Sequence, residues 1–375
     1  MPTFSDIYNK YNWEEIRQRI HAKTSRDVEL ALSKNRRDLE DFISLISPAA
    51  IPYIEQMAQM SNRLTIKRFG KTIQMYIPLY LSNECSNSCK YCGYNITNKI
   101  ERITLSEEQI LKEMQVLKSF GFDHVLLVTG ESKKKVGMEY FKNVIKLIKP
   151  YFALISMEVQ PLEQAEYESL IAGGLNSVYI YQETYNKDSY RFYHPEGDKA
   201  DFYYRLETPD RLGEARIYKI GLGVLLGLED WRTDSFFVAL HLNYLEKKFW
   251  QSKYSISLPR LRPAVGIIEP RVNISDKELV QLICAYRLFD EEVEISLSTR
   301  ESEKFRTNVV KLGITSMSAG SKTNPGGYAE GKKSLEQFVI ADERDPNQIA
   351  EIIRKQGYEV IWKDWDKTLQ SSINS

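Results

Sequence analysis

Between residues 75 and 320 the chain alternates short apolar runs with longer amphipathic stretches, and this alternation sets its fold class. The runs at 75–81, 124–128, 154–159, 177–181, 221–226, 255–261, 294–297 and 315–317 have strand length. Helical stretches lie between them, such as 106–120, which opens with Ser106 as an N-cap, and 275–289. Eight strand-then-helix units predict a parallel sheet with right-handed crossovers, closed most economically as an α/β (β/α)8 barrel of the TIM type.

The two ends break the pattern. Residues 1–70 read as a helical extension: Asn12 with Glu15, and Thr24 with Asp27, mark helix starts. Ser47-Pro48 begins a further helix that Arg68-Phe69-Gly70 ends. The barrel then occupies 71–320, and 321–375 is a tail folded on its edge. In that tail Asn324-Pro325-Gly326-Gly327-Tyr328 forms a turn, Asp345-Pro346 leads into a helix stopped by Gly357, and 359–362 is a short strand.

Composition narrows the function class. Hydrophobic residues make up 42% and charged residues 27%, enough apolar material for a large core. Lysine plus arginine equals aspartate plus glutamate at 51 each, so no long-range field points to nucleic acid or an anionic membrane. No run of about 18 apolar residues exists to span a bilayer. Met1-Pro2-Thr3-Phe4-Ser5-Asp6 lacks the blocks of a signal peptide, so a cytoplasmic location is expected.

The chemistry centres on Cys85, Cys89 and Cys92, spaced C-x3-C-x2-C directly after the first strand. Three thiolates on one loop can hold three irons of a 4Fe–4S cluster and leave the fourth iron open to a small molecule. A structural zinc site would need a fourth ligand, and no histidine or fourth cysteine lies nearby; inert thiols are the remaining alternative. Cys284, the one other cysteine, sits in an apolar helical run and is not expected to ligate metal.

In such a barrel the loops after the strands form the active face. Gly130 and Glu131 end the second strand, where glycine admits a ligand to the backbone and the carboxylate can accept from an ammonium; alone the string is also an ordinary turn. Glu158 and Gln160 end the third, and alternation points both into the barrel, toward ribose hydroxyls or an internal network. Gln182 and Glu183 end the fourth and join the catalytic candidates. Arg205 precedes the fifth strand and is expected at a strand end around the cysteine loop, where it offers a planar fork to a carboxylate or forms a surface ion pair. Arg260, Arg262 and Arg300 stand at later strand ends, with an amino-acid carboxylate as one partner and Glu301 or Glu269 as the alternative. Ser318 follows at the eighth.

The cysteine spacing, with aromatic Tyr91 before the third cysteine, resembles the radical S-adenosylmethionine (SAM) superfamily. The strings Tyr80-Leu81-Ser82-Asn83, Val128-Thr129-Gly130-Glu131, Met157-Glu158-Val159-Gln160-Pro161-Leu162, Tyr181-Gln182-Glu183-Thr184-Tyr185, Ser298-Thr299-Arg300-Glu301, Asn324-Pro325-Gly326-Gly327-Tyr328 and Trp362-Lys363-Asp364-Trp365 are similar to the tyrosine lyases of thiamine biosynthesis, the 2-iminoacetate synthases. The resemblance implies one 4Fe–4S cluster on Cys85, Cys89 and Cys92. It implies SAM held by Tyr91, Gly130, Glu131, Glu158, Gln160 and Arg205, and L-tyrosine held through Arg300 and Ser318. Implied partners are a thiazole synthase and an electron donor such as flavodoxin or ferredoxin. The lyase that matures FeFe-hydrogenase shares most of these strings but carries further C-terminal cysteines, and this chain has none after Cys284. A radical enzyme acting on another aromatic amino acid, or an iron–sulfur carrier without turnover, would keep the same cysteine loop.

Overall fold

A computed structural model describes residues 2–263, 266–331 and 336–362. Eight parallel strands close into a barrel: β1 (Thr72–Ser82), β2 (His124–Thr129), β3 (Leu154–Glu158), β4 (Ser177–Tyr179), β5 (Lys219–Gly223), β6 (Lys253–Ser257), β7 (Glu294–Leu297) and β8 (Ser316–Ser318). Each pairs with the next, and β1 closes the ring by pairing with both β8 and β2. A ninth strand, β9 (Glu359–Ile361), adds in parallel beside the first residues of β1. The (β/α)8 class expected from the alternation is therefore the fold.

The strand faces divide the chemistry. Ile73, Met75, Ile77, Leu79 and Leu81 of β1 alternate outward into the main hydrophobic core beneath the helices. Tyr76, Tyr80, Leu126, Val128, Tyr179 and Tyr181 form a separate apolar cluster inside the ring. The interior beside them is small and polar. Ser296 Oγ donates to Tyr76 Oη at 3.1 Å, His124 Nε2 and Ser156 Oγ lie 2.8 Å apart, and Lys219 Nζ donates to Glu294 at 2.8 Å. Gly221 and Gly223 on β5 leave room for the rings of Tyr179 and Tyr181; a Cβ at Gly221 would run into the Tyr179 ring.

The N-terminal extension wraps the outside of this ring. Asn12, Thr24 and Asp38 cap the helices Trp13–His21, Ser25–Ser33 and Leu39–Ile46. The segment after Ser47 starts as a 3-10 helix, Pro48–Tyr53, with Pro48 at its first position and Pro52 inside it, before the α-helix Ile54–Phe69. Phe4 stacks on His241 at 3.6 Å, and Tyr8 Oη donates to the Tyr185 carbonyl at 2.7 Å, joining the extension to the helix Trp231–Lys248 and to the chain beyond β4.

After β8 the chain crosses the open ends of the strands. Tyr328 Oη donates to the Pro78 carbonyl at 2.8 Å, Gln337 N to Thr323 O at 3.1 Å, and Ala341 N to Thr299 O at 2.9 Å. The chain then descends through the helix Pro346–Lys355 to β9. Residues 321–331 and 336–342 thus form a strap over the mouth of the barrel. Lys363-Asp364-Trp365 lie outside the described residues.

Candidate active site

The strap and the strand ends enclose a cavity with about 1420 Å³ of empty space including its open mouth, lined by Cys85, Cys89 and Cys92. The cysteine loop is held by backbone bonds to separate parts of the chain. Ser86 N donates to Glu131 O at 2.9 Å, Ser88 N to Glu196 O at 3.2 Å, Lys90 N to Tyr193 O at 3.1 Å and Gly93 N to Gln337 O at 3.1 Å. Gly130 has no side chain for a physical reason: a Cβ there would collide with the Glu84 carbonyl and meet Cys85 Cβ at 3.1 Å. Burial, with the Glu131 carboxylate adding to it, pushes the Cys85 thiol up; burial, with the neighbouring Cys85, pushes Cys92 to about 11. Three thiols in a dry pocket favour ligation, because a metal centre neutralises the charge that burial penalises.

Among the described residues, no three His, Cys, Asp or Glu side chains gather closely enough to hold a single metal ion. Three cysteines spread around one cavity suit a cubane, which is wider than an ion. Cys284 is fully buried in the helix Asp276–Phe289, where its Sγ lies 3.8 Å from Leu312 O, away from this cavity. A tetrahedral zinc site would lack its fourth ligand here.

Beside the thiols, three acids face three bases. Glu131 accepts from Arg205 Nη1 at 2.9 Å and from Asn87 Nδ2 at 2.9 Å, with Lys199 Nζ 3.8 Å away. Burial works to raise its pKa, but the charges of Arg205 and Lys199 and the hydrogen bonds outweigh it and hold the carboxylate below its usual range. Lys199 also donates to Glu183 Oε1 at 2.7 Å. Glu183 itself has φ 69, a left-handed conformation costly for a side chain with a Cβ, and it aims its carboxylate into the cavity. Glu158 has no such partner among the described residues: burial and the charge of Glu183 push it up to about 7, against the opposing pull of Arg300, Lys199 and Arg205.

Arg300 also faces the cavity without a carboxylate within ion-pair distance among the described residues; its guanidinium lies 3.3 Å from the centre of the Phe338 ring. Burial lowers its pKa. An unpaired guanidinium in such a place calls for an anionic ligand. Ser318 Oγ sits next to it, accepting from Thr299 N at 3.2 Å. Arg260 and Arg262, in contrast, are both taken by the buried carboxylate of Glu301, as the ion-pair alternative anticipated. Tyr91 Oη donates to His194 Nε2 at 2.6 Å while His194 Nδ1 donates to Tyr190 O, which fixes the Tyr91 ring against the cavity.

Three sequence expectations need correction in place. Gln160 does not point into the barrel: β3 ends at Glu158, alternation stops there, and Gln160 Nε2 donates to Val136 O at 2.8 Å outside the cavity. Gln182 likewise lies past the end of β4 and donates to Phe202 O at 3.3 Å. Arg205 is not at a strand end but on the short helix Phe202–Leu206, reaching in through Nη1 to Glu131 and through Nε to Tyr181 O at 2.7 Å. Sequence reasoning also missed Lys199, Asn87, Gln337 and Phe338. The turn string beginning at Asn324 was the one signal for the last two, since it marks where the strap bends back over the mouth.

Residues 79–237 match the family model described as the radical SAM superfamily, and 257–359 match that of the Biotin and Thiamin Synthesis associated domain. The 2-iminoacetate synthase of Escherichia coli strain K12 is 50% identical over 370 residues, covering 98% of both chains. The chain belongs to the 2-iminoacetate synthase family. The same name and identity attach to a relative from Salmonella typhimurium strain LT2, again over 98% of both chains. Among solved structures, HydG, a maturase of the FeFe-hydrogenase, superposes with a TM-score of 0.89 at 32% identity, covering 95% of this chain and 81% of that one. A member of the 2-iminoacetate synthase family is a carbon–carbon lyase of the radical SAM type, and such enzymes use a 4Fe–4S cluster and SAM. Among the described residues no helix is long and apolar enough to cross a membrane.

Proposed function

We propose that this chain cleaves the Cα–Cβ bond of L-tyrosine in the cavity under the strap, giving 2-iminoacetate (dehydroglycine) and 4-methylphenol for thiamine thiazole synthesis. The observation that carries this reading is the convergence of three thiols, an unpaired Arg300 and a partnerless Glu158 on one cavity, in a chain with full-length family identity. When bound, one cluster with SAM supplies a 5′-deoxyadenosyl radical, with methionine as by-product.

The protein's own residues would bind, orient and shield. Cys85, Cys89 and Cys92 hold the cluster, and no fourth protein ligand is needed. Glu131, held charged by Arg205 and Lys199, accepts from the SAM ammonium; the uncommitted Nη2 of Arg205 is free for a carboxylate. Glu158 receives ribose hydroxyls, which supply the donors that a buried carboxyl lacks. Arg300, with Ser318 beside it, pairs with the tyrosine carboxylate. Gln160 and Gln182 support the site by holding the backbone at Val136 and Phe202. The strap excludes water from the reacting atoms.

Dehydroglycine hydrolyses readily, so a thiazole synthase docked to receive it and a low-potential donor such as flavodoxin or ferredoxin complete the cytoplasmic system. Anaerobic incubation of the reconstituted protein with SAM, reductant and each aromatic amino acid tests the reading. Tyrosine should stimulate 5′-deoxyadenosine formation and yield 4-methylphenol with dehydroglycine or glyoxylate. Turnover of tryptophan alone, or a cluster with no SAM cleavage, overturns it.

A further inference from the structure

Gln337 lies in the strap, yet it is tied to the cysteine loop from several directions. Its carbonyl accepts Gly93 N at 3.1 Å, and its own N–H donates to Thr323 O, which also accepts Tyr94 Oη at 2.6 Å. The side chain bridges two groups: Tyr80 Oη donates to its Oε1 at 2.8 Å, and its Nε2 donates to Cys92 Sγ at 3.7 Å. A Cβ at Gly93 would come within 2.7 Å of the Glu336 carbonyl, so the strap and the loop fit only because residue 93 is glycine.

The amide has one sensible orientation. Tyr80 is buried and its phenol must donate to an acceptor, which the amide oxygen is and the amide nitrogen is not. With Oε1 committed to Tyr80, both amide hydrogens sit on the sulfur side. The reversed amide would set a carbonyl oxygen against a thiolate and leave the phenol without an acceptor.

We propose that Gln337 is a positioning residue for the iron–sulfur centre: its amide, aimed by Tyr80, donates to Cys92 Sγ and raises the reduction potential of the centre. The proposal rests on the reading above that Cys92 ligates the cluster. The step concerned is transfer of one electron from a low-potential donor, dithionite in the test, to the oxidised centre. No bond forms or breaks and no proton moves; the donor is oxidised and the centre gains one negative charge. A hydrogen bond to a ligating sulfur stabilises the more negative state more strongly, which raises the potential. Because the amide belongs to the strap, the centre is easiest to reduce when the mouth is covered.

The test is an anaerobic redox titration of the reconstituted full chain, followed by electron paramagnetic resonance, with iron and sulfide counted in the same samples. Gln337→Leu should shift the midpoint to more negative potential with iron content unchanged. Tyr80→Phe should shift it in the same direction by less, since it frees the amide to turn without removing it. Full iron content with an unchanged midpoint in Gln337→Leu overturns the proposal. If Gln337→Leu fails to hold iron, Tyr80→Phe decides: a negative shift supports the proposal and an unchanged midpoint overturns it. A wild-type chain that binds no cluster would instead sink the functional reading.

Discussion

Among the described residues, Arg300 and Glu158 share the cavity as the two charged groups that no oppositely charged side chain neutralises directly, and they define what the site is built to receive. Replacing Arg300 by lysine keeps the charge and loses the fork. Tyrosine-dependent kcat/KM should fall by about 10- to 100-fold, the worth of a charged hydrogen bond of about 1.5–3 kcal/mol, while SAM affinity measured by equilibrium dialysis is retained. Glu158 makes a pH statement. The folded chain holds this proton more tightly than the unfolded chain does, so its contribution to stability is greatest in acid. That contribution declines as pH rises from the ordinary carboxyl value of 4.5 through about 7. Urea unfolding of the apo protein should show this decline, and Glu158→Gln should remove it. Cys284 has a packing role only, so Cys284→Ala should keep iron content and SAM cleavage while costing about 1 kcal/mol of stability by thermal unfolding. Cys85, Cys89 and Cys92 were legible because their spacing is local. Lys199 was not: it stands in the helical insertion between β4 and β5, where no periodicity marks it, and it matters only because folding sets it between Glu131 and Glu183.

Strands were easier to read than their ends. All eight barrel runs were visible as apolar segments, because a strand covered on its outer face by helices needs a row of large side chains there, such as Ile73 to Leu81 of β1. The misplacements of Gln160 and Gln182 have different causes. The ladder stops at Glu158 in β3 and alternation stops with it, whereas at and beyond the end of β4 Tyr179, Tyr181 and Glu183 still face inward in turn, which sets Gln182 on the other side. The inner face follows a different rule, in which β4 supplies bulk and β5 supplies space. Gly221→Ala should therefore force the Tyr179 ring to move and lower stability by about 1–3 kcal/mol in chemical denaturation. Adding Tyr179→Leu should recover part of that loss, since it removes the ring that the new methyl meets.

At the scale of the whole molecule, the chain and the hydrogenase maturase share a barrel, but this chain accounts for only 81% of that structure's length. Of the four cysteines in this sequence, three lie at one cavity and the fourth is buried in a helix, which provides thiolates for one cluster. Reconstituted protein should hold one cluster, and tyrosine turnover should release no carbon monoxide; gas trapped by a haem protein in amounts matching 4-methylphenol would contradict this. The route of the C-terminal segment has a consequence of its own. It leaves β8, passes over the mouth and reaches β9, and both of those strands pair with β1. The cover is thus moored on either side to a single plank of the barrel, like a drawbridge whose chains and sill are one timber. Raising it breaks the bonds of Tyr328 to Pro78, Tyr94 to Thr323 and Gly93 to Gln337, and leaves the ring of strands closed. None of these bonds belongs to the barrel ladder, so the cover is held by contacts separate from those that close the ring.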